Sequence, residues 1–178
     1  YEIDFAETGI FADPDVLGCI DFENKKIYVN TSVEDHEGRY SFTIAHEIGH
    51  HVLHRDRYLQ NTIGIENEIL CRGRGEKPQI ESEADRFAAA LLMPAENLKN
   101  AVGRNARNIR TVGQARALAH DLITEGGFKN VSNSAMINRL RDLRLLKKAI
   151  PYQGAKSRKT YGAPSPINIL KGAVKKWR

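Results

Sequence analysis

The sequence predicts an α+β protein: a small domain with a short β-sheet and one histidine-bearing helix, followed by a mainly helical, basic module. Three observations carry this expectation. Residues 46–50 read His-Glu-Ile-Gly-His inside a stretch free of helix breakers. Two short runs rich in β-formers, 17–22 and 26–30, stand just upstream of it. Residues 1–100 carry 10 Lys/Arg against 19 Asp/Glu, a net −9, whereas residues 101–178 carry 17 against 3, a net +14. A change of sign that abrupt marks a second module. The expected division is 1–100 for the metal-binding domain, 101–150 for the helical module and 151–178 for a basic extended tail.

Taken in order, the first elements are the two strands, joined through Glu23-Asn24-Lys25 as a hairpin. Ile27 to Asn30 is the candidate edge strand for pairing with an extended peptide, and an ordinary core strand is the alternative. A polar, acidic loop over 31–39 leads into a helix expected at about 40–54. Ser41-Phe42-Thr43-Ile44-Ala45 enters it, and Val52-Leu53 continues the apolar pattern past His50. Residues four apart share a helix face, so His46 and His50 can reach one metal ion, with Glu47 placed to polarise a water on it. His54 follows at the same spacing. It lies eight residues from His46, roughly 12 Å along the axis, too far for both to bind one ion tetrahedrally, and it reads as structural.

Residues 55–79 contain Gly64, Gly73, Gly75 and Pro78 and read as a flap or loop, with a short helix near 65–71. The next helix starts at Glu81 and stops at Pro94. A catalytic zinc site takes three protein ligands and keeps one position open. Glu81 is the expected third ligand. It shares a face with Asp85, Ala84 and Ala88, the last two small enough for close approach of helices. Asp85 is expected to accept a hydrogen bond from a ligand histidine and fix its tautomer. Glu83, on another face beside Phe87, is the competing ligand.

Further helices are expected at 94–102, 111–123 and 132–146. Thr111 and Gln114 have capping-box spacing, and Met136, Leu140 and Leu143 repeat at helical intervals. The last two helices, with Gly126-Gly127 between them, resemble a helix-turn-helix piece. Arg139, Arg141 and Arg144 decorate its second helix. Phosphate contact is one reading of them; a solvated basic face, or docking of a protein or of the acidic half, is the favoured one.

The remaining composition narrows the class. No apolar run approaches the roughly 20 residues that span a bilayer, and no signal-peptide pattern precedes the first strand. Cys19 and Cys71 form no Cys-x-x-Cys pattern and read as reduced thiols of a cytoplasmic protein, with a zinc role for Cys71 as the alternative. No nucleophile elbow or reactive-cysteine pattern is present.

Phe42-Thr43-Ile44-Ala45-His46-Glu47-Ile48-Gly49-His50, with His54 and the block from Glu81 to Pro94, resembles the ImmA/IrrE metallopeptidases. The likeness extends upstream through Gly18-Cys19-Ile20-Asp21 and Ile27-Tyr28-Val29-Asn30, and more faintly to Val131-Ser132 and Arg139-Leu140. It implies a small zincin-like domain of the minigluzincin kind and one Zn²⁺ per chain. It also implies a ligand carboxylate drawn from a Glu-x-x-x-Asp pair. The function it implies is site-specific cleavage of a cytosolic helix-turn-helix repressor in mobile-element or stress regulation. The competing function is a binding module on the same scaffold that recognises DNA or a repressor without proteolysis.

Overall fold

The computed structural model describes residues 1–6, 16–61, 69–71, 79–103, 108–147 and 150–153. Most of the expected flap, and the tail beyond residue 153, lie outside the described residues. The chain divides into two compact units, one of Tyr1–Ala88 and one that begins at Ala89.

The first unit is built on a four-stranded sheet of order β1-β3-β2-β4, with β1 at Glu2–Ala6, β2 at Gly18–Asp21, β3 at Lys26–Asn30 and β4 at Ile69–Cys71. The β2–β3 hairpin is the one expected, and Asp21 closes it. Its Oδ1 accepts from the backbone N–H of Glu23 (3.0 Å) and Asn24 (2.8 Å), and its Oδ2 accepts from Asn24 Nδ2 at 2.8 Å. Lys25 completes the turn in the left-handed region, at φ 55°.

Two expectations fail here for one reason, long-range pairing. β3 is an inner strand, antiparallel to β2 on one side and parallel to β1 on the other. Its backbone is committed to both neighbours, so Ile27 to Asn30 is not the edge that receives a peptide. The short helix expected near 65–71 is, over its described part, strand β4 against β2. The same pairing sets the backbone of Cys19 opposite that of Cys71. Cys19 is disulfide-bonded, not the reduced thiol its isolated position in sequence implied. Disulfides are uncommon in the cytosol, so cysteine usage lends no support to a cytoplasmic location.

A single 3₁₀ turn, Thr31–Val33, links the sheet to α1, Glu37–Asn61. This helix outruns the expected 40–54 at both ends, and no Gly or Pro interrupts it between Gly49 and Asn61. Tyr40, Ile44 and Ile48, spaced by four, lay one stripe of α1 on the core of Ile20, Phe22, Ile27, Val29 and Val33. A different stripe, His46, His50 and His54, is also buried and faces α2, Gln79–Leu92.

The second unit contains α3 (Ala95–Val102), α4 (Val112–Thr124) and α5 (Asn133–Asp142). The capping box of α4 is present: Gln114 N donates to Thr111 Oγ1, and Thr111 N donates to Gln114 Oε1, both at 3.2 Å. Gly126 follows α4 where a Cβ would lie 2.6 Å from the Leu122 carbonyl oxygen, so only glycine fits there. Helix α5 ends at Asp142, short of the expected 146. Arg144 turns left-handed at φ 58°, Leu145 N donates to Leu140 O, and Arg144 N donates to Arg141 O. That is a Schellman stop with arginine in the position usually held by glycine. The core gathers Met93, Leu98, Ala119, Met136, Ile137 and Leu140, and Leu143 packs against it as expected. Among the described residues, no helix is long and apolar enough to cross a membrane.

Candidate metal centre

The geometry of the HExxH helix brings its two imidazoles together. His46 Nε2 and His50 Nε2 are 3.0 Å apart, and both rings are buried. α2 supplies the third group: Glu81 Oε2 lies 3.2 Å from His46 Nε2, and Glu81 Oε1 lies 3.2 Å from His50 Nε2. Small residues allow this approach. A Cβ on Gly49 would stand 3.2 Å from the Cα and carbonyl oxygen of Ala84 and from Phe87 Cδ1, and Ala84 and Ala88 are fully buried.

His46, His50 and Glu81 each offer a ligand atom, all within 4.8 Å of one another. Zinc–ligand bonds of about 2.0–2.1 Å in a tetrahedron put neighbouring donors roughly 3.3 Å apart. The separations of 3.0–3.2 Å are close to that. The chemistry agrees as well. Two ring nitrogens 3.0 Å apart repel if both are bare or both carry a proton, a cation between them and the Glu81 carboxylate relieves this, and two imidazoles with one carboxylate suit zinc. The residues fit the ion.

The IrrE N-terminal-like domain model of the M78 peptidases matches residues 13–122, more than half of the chain. The protein belongs to this ImmA/IrrE family. Searches of the curated proteins and of the solved structures returned no significant match.

In this M78 domain the second ring nitrogens are also engaged. His46 Nδ1 lies 2.9 Å from Asp85 Oδ1, the contact expected of Asp85. His50 Nδ1 lies 3.1 Å from His54 Nδ1, and His54 Nε2 lies 3.0 Å from Glu83 Oε2. Of the two competing acids, Glu81 therefore meets both imidazoles, while Glu83 meets His54. His54 is not a member of the ligand cluster.

Burial affects the two kinds of donor differently. For Glu81, burial alone would raise the carboxyl, but hydrogen bonds from His46 and His50 outweigh it and hold the group at about 2. For His50, burial pushes the imidazole below its ordinary value, against the opposing pull of Glu81. Both shifts favour the charge states a divalent cation needs, an ionised carboxylate and a neutral ring.

Glu47 is fully buried at the turn between the two histidines. Its carboxylate faces β2, where a Cβ on Gly18 would come within 3.2 Å of Glu47 Oε1 and 2.5 Å of Thr43 Cγ2. Gly18 is thus a residue that shapes the site, and it was missed from sequence. A glycine at the start of a strand was the available signal for close backbone approach. Gly18→Ala should force Thr43 aside and destabilise the fold by about 1–3 kcal/mol, read from urea unfolding of the metal-loaded chain.

The remaining histidines lie outside this cluster. His51 pairs with Tyr1, whose Oη is 2.8 Å from His51 Nδ1, and His36 and His120 are exposed. Of the tyrosines whose hydroxyl could donate to an oxyanion, Tyr40 packs against the sheet-side core, and Tyr152 donates to Asp142 Oδ1 at 2.7 Å. Tyr161 lies outside the described residues.

Proposed function

We propose that the chain is a zinc-dependent, site-specific endopeptidase that cleaves a cytosolic helix-turn-helix repressor. The observation that carries this is the convergence of His46, His50 and Glu81, with Glu47 buried on the same helix between the two histidines. A purely structural metal site has no use for a general base in that place. Zinc held by these ligands supplies a Lewis acid for the scissile carbonyl and a lowered pKa for the attacking water. Glu47 takes the proton from that water and delivers it to the leaving amine. Asp85, by accepting from His46 Nδ1–H, keeps the His46 lone pair on Nε2 and the ring in place. The direct test is incubation of the zinc-loaded chain with candidate helix-turn-helix repressors, followed by mass spectrometry. A single defined cut, abolished by a chelator and restored by zinc, is the expected result. An intact repressor removes this substrate.

The basic residues from 101 onward are assigned to docking that protein substrate, with α4 and α5 as a helix-turn-helix-like pair. Two of the three arginines for which phosphate contact is the alternative reading are already used within the unit. Arg139 Nε donates to the Met93 carbonyl at 3.1 Å, and the Arg141 guanidinium lies 3.8 Å over the Tyr152 ring. Duplex DNA should accordingly bind no more tightly than a non-specific site, roughly 10⁻⁴–10⁻⁶ M at physiological salt. Fluorescence anisotropy at several salt concentrations checks this, and nanomolar binding with a steep salt slope would favour the binding-module reading.

A further inference from the structure

His54 is the third histidine of the buried stripe on α1, yet it offers no atom to the cluster of His46, His50 and Glu81. It stands between His50 and Glu83: its Nδ1 is 3.1 Å from His50 Nδ1, and its Nε2 is 3.0 Å from Glu83 Oε2. Gln79 Nε2 in turn donates to the other oxygen, Glu83 Oε1, at 2.7 Å, one turn back along α2. Hydrogen-bond arithmetic sets the direction of this chain. His50 turns Nε2 towards Glu81 and His46, so a ring that gives that lone pair to a cation carries its proton on Nδ1. The Nδ1 proton of His50 has His54 Nδ1 to donate to. His54 Nδ1 is then bare, its own proton is on Nε2, and that N–H donates to the Glu83 carboxylate.

We propose that His54 and Glu83 are positioning residues that hold the His50 ring in its metal-binding orientation and tautomer, through the relay His50–His54–Glu83. On His46 one carboxylate, Asp85, does this directly. On His50 the gap is spanned by an imidazole, and the carboxylate stands one residue further out. The bond to Glu83 is charge-assisted, and it polarises His54 so that Nδ1 becomes the better acceptor. Glu81 and Glu83, two residues apart on one helix, therefore have separate duties. One meets the metal; the other acts on it through two hydrogen bonds.

The relay rests on the metal-binding reading, and the experiment separates the two. Long-range ¹⁵N–¹H NMR on the ¹⁵N-labelled, zinc-titrated full chain reads each histidine tautomer. His54 should carry its proton on Nε2, and His50 on Nδ1. A His54 protonated on Nδ1, in a chain that binds zinc stoichiometrically, overturns the relay alone, whereas a chain that takes up no zinc overturns the metal reading with it. Zinc affinity measured by chelator competition gives a second readout. His54→Leu and Glu83→Ala should each weaken binding by roughly 10–100-fold while leaving one zinc per chain at saturation. His54→Asn, which keeps an oxygen acceptor near the place of Nδ1, should bind more tightly than His54→Leu. Unchanged affinity in His54→Leu, or equal losses in the Leu and Asn variants, would overturn the relay.

Discussion

Alanine at Glu81 should leave a folded chain that is purified without stoichiometric zinc, and alanine at His46 or His50 should do the same. Among the described residues, Glu81 is the carboxylate that meets both Nε2 atoms, at 3.2 Å each, and its carboxyl is held at about 2. It is ionised at every pH at which the protein would work. Its removal leaves two imidazoles, and the affinity lost should exceed the roughly 10–100-fold expected when only an outer partner is removed. Glu83→Ala is the internal control, because Glu83 contacts His54 and stays outside the cluster. That variant should still reach one zinc per chain when metal is in excess. Elemental analysis checks both, on Glu81→Ala as purified and on Glu83→Ala equilibrated with excess zinc; full retention in Glu81→Ala with complete loss in Glu83→Ala would reverse the ligand choice. Acid should strip the metal as well, since ligand histidines must be neutral. Burial lowers His50, so its contribution to metal retention should persist below the ordinary imidazole range of about 6.5 and be lost as pH falls further.

Glu47→Gln should bind zinc normally and cut at least about a hundredfold more slowly, the lower end of what a general base contributes. Glutamine nearly matches glutamate in size and helix propensity, so α1 and the three ligands should stay in place. What is lost is the group assigned to take the proton of the attacking water. Single-turnover cleavage by the zinc-loaded variant measures the effect. A wild-type rate would mean that another residue activates the water, even with the ligand set correct.

Much of this site could be read from residue spacing because its parts are local. His46, Glu47 and His50 lie within one helical turn or so, and Glu81 and Asp85 share a face of the next described helix. The same reasoning found the β2–β3 hairpin and the capping box of α4, which are also local. It failed where a partner comes from far away in sequence. The alternation in Glu2-Ile3-Asp4-Phe5-Ala6 is too short to announce a strand, and without β1 the inner position of β3 is invisible. Without β4, nothing hints that Cys19 faces residue 71 across the sheet. His54 shows the limit best. Spacing set it apart from His46 and His50, but its link to Glu83 exists only once α1 and α2 have packed.

Zinc K-edge absorption of the wild-type chain reads the proposed ligand set, two imidazoles and the Glu81 carboxylate around an open zinc position. The first shell should contain nitrogen and oxygen only, at about 2.0–2.1 Å, with outer-shell scattering from two imidazoles. A sulfur scatterer at about 2.3 Å, or the signature of three or more histidines, would contradict it.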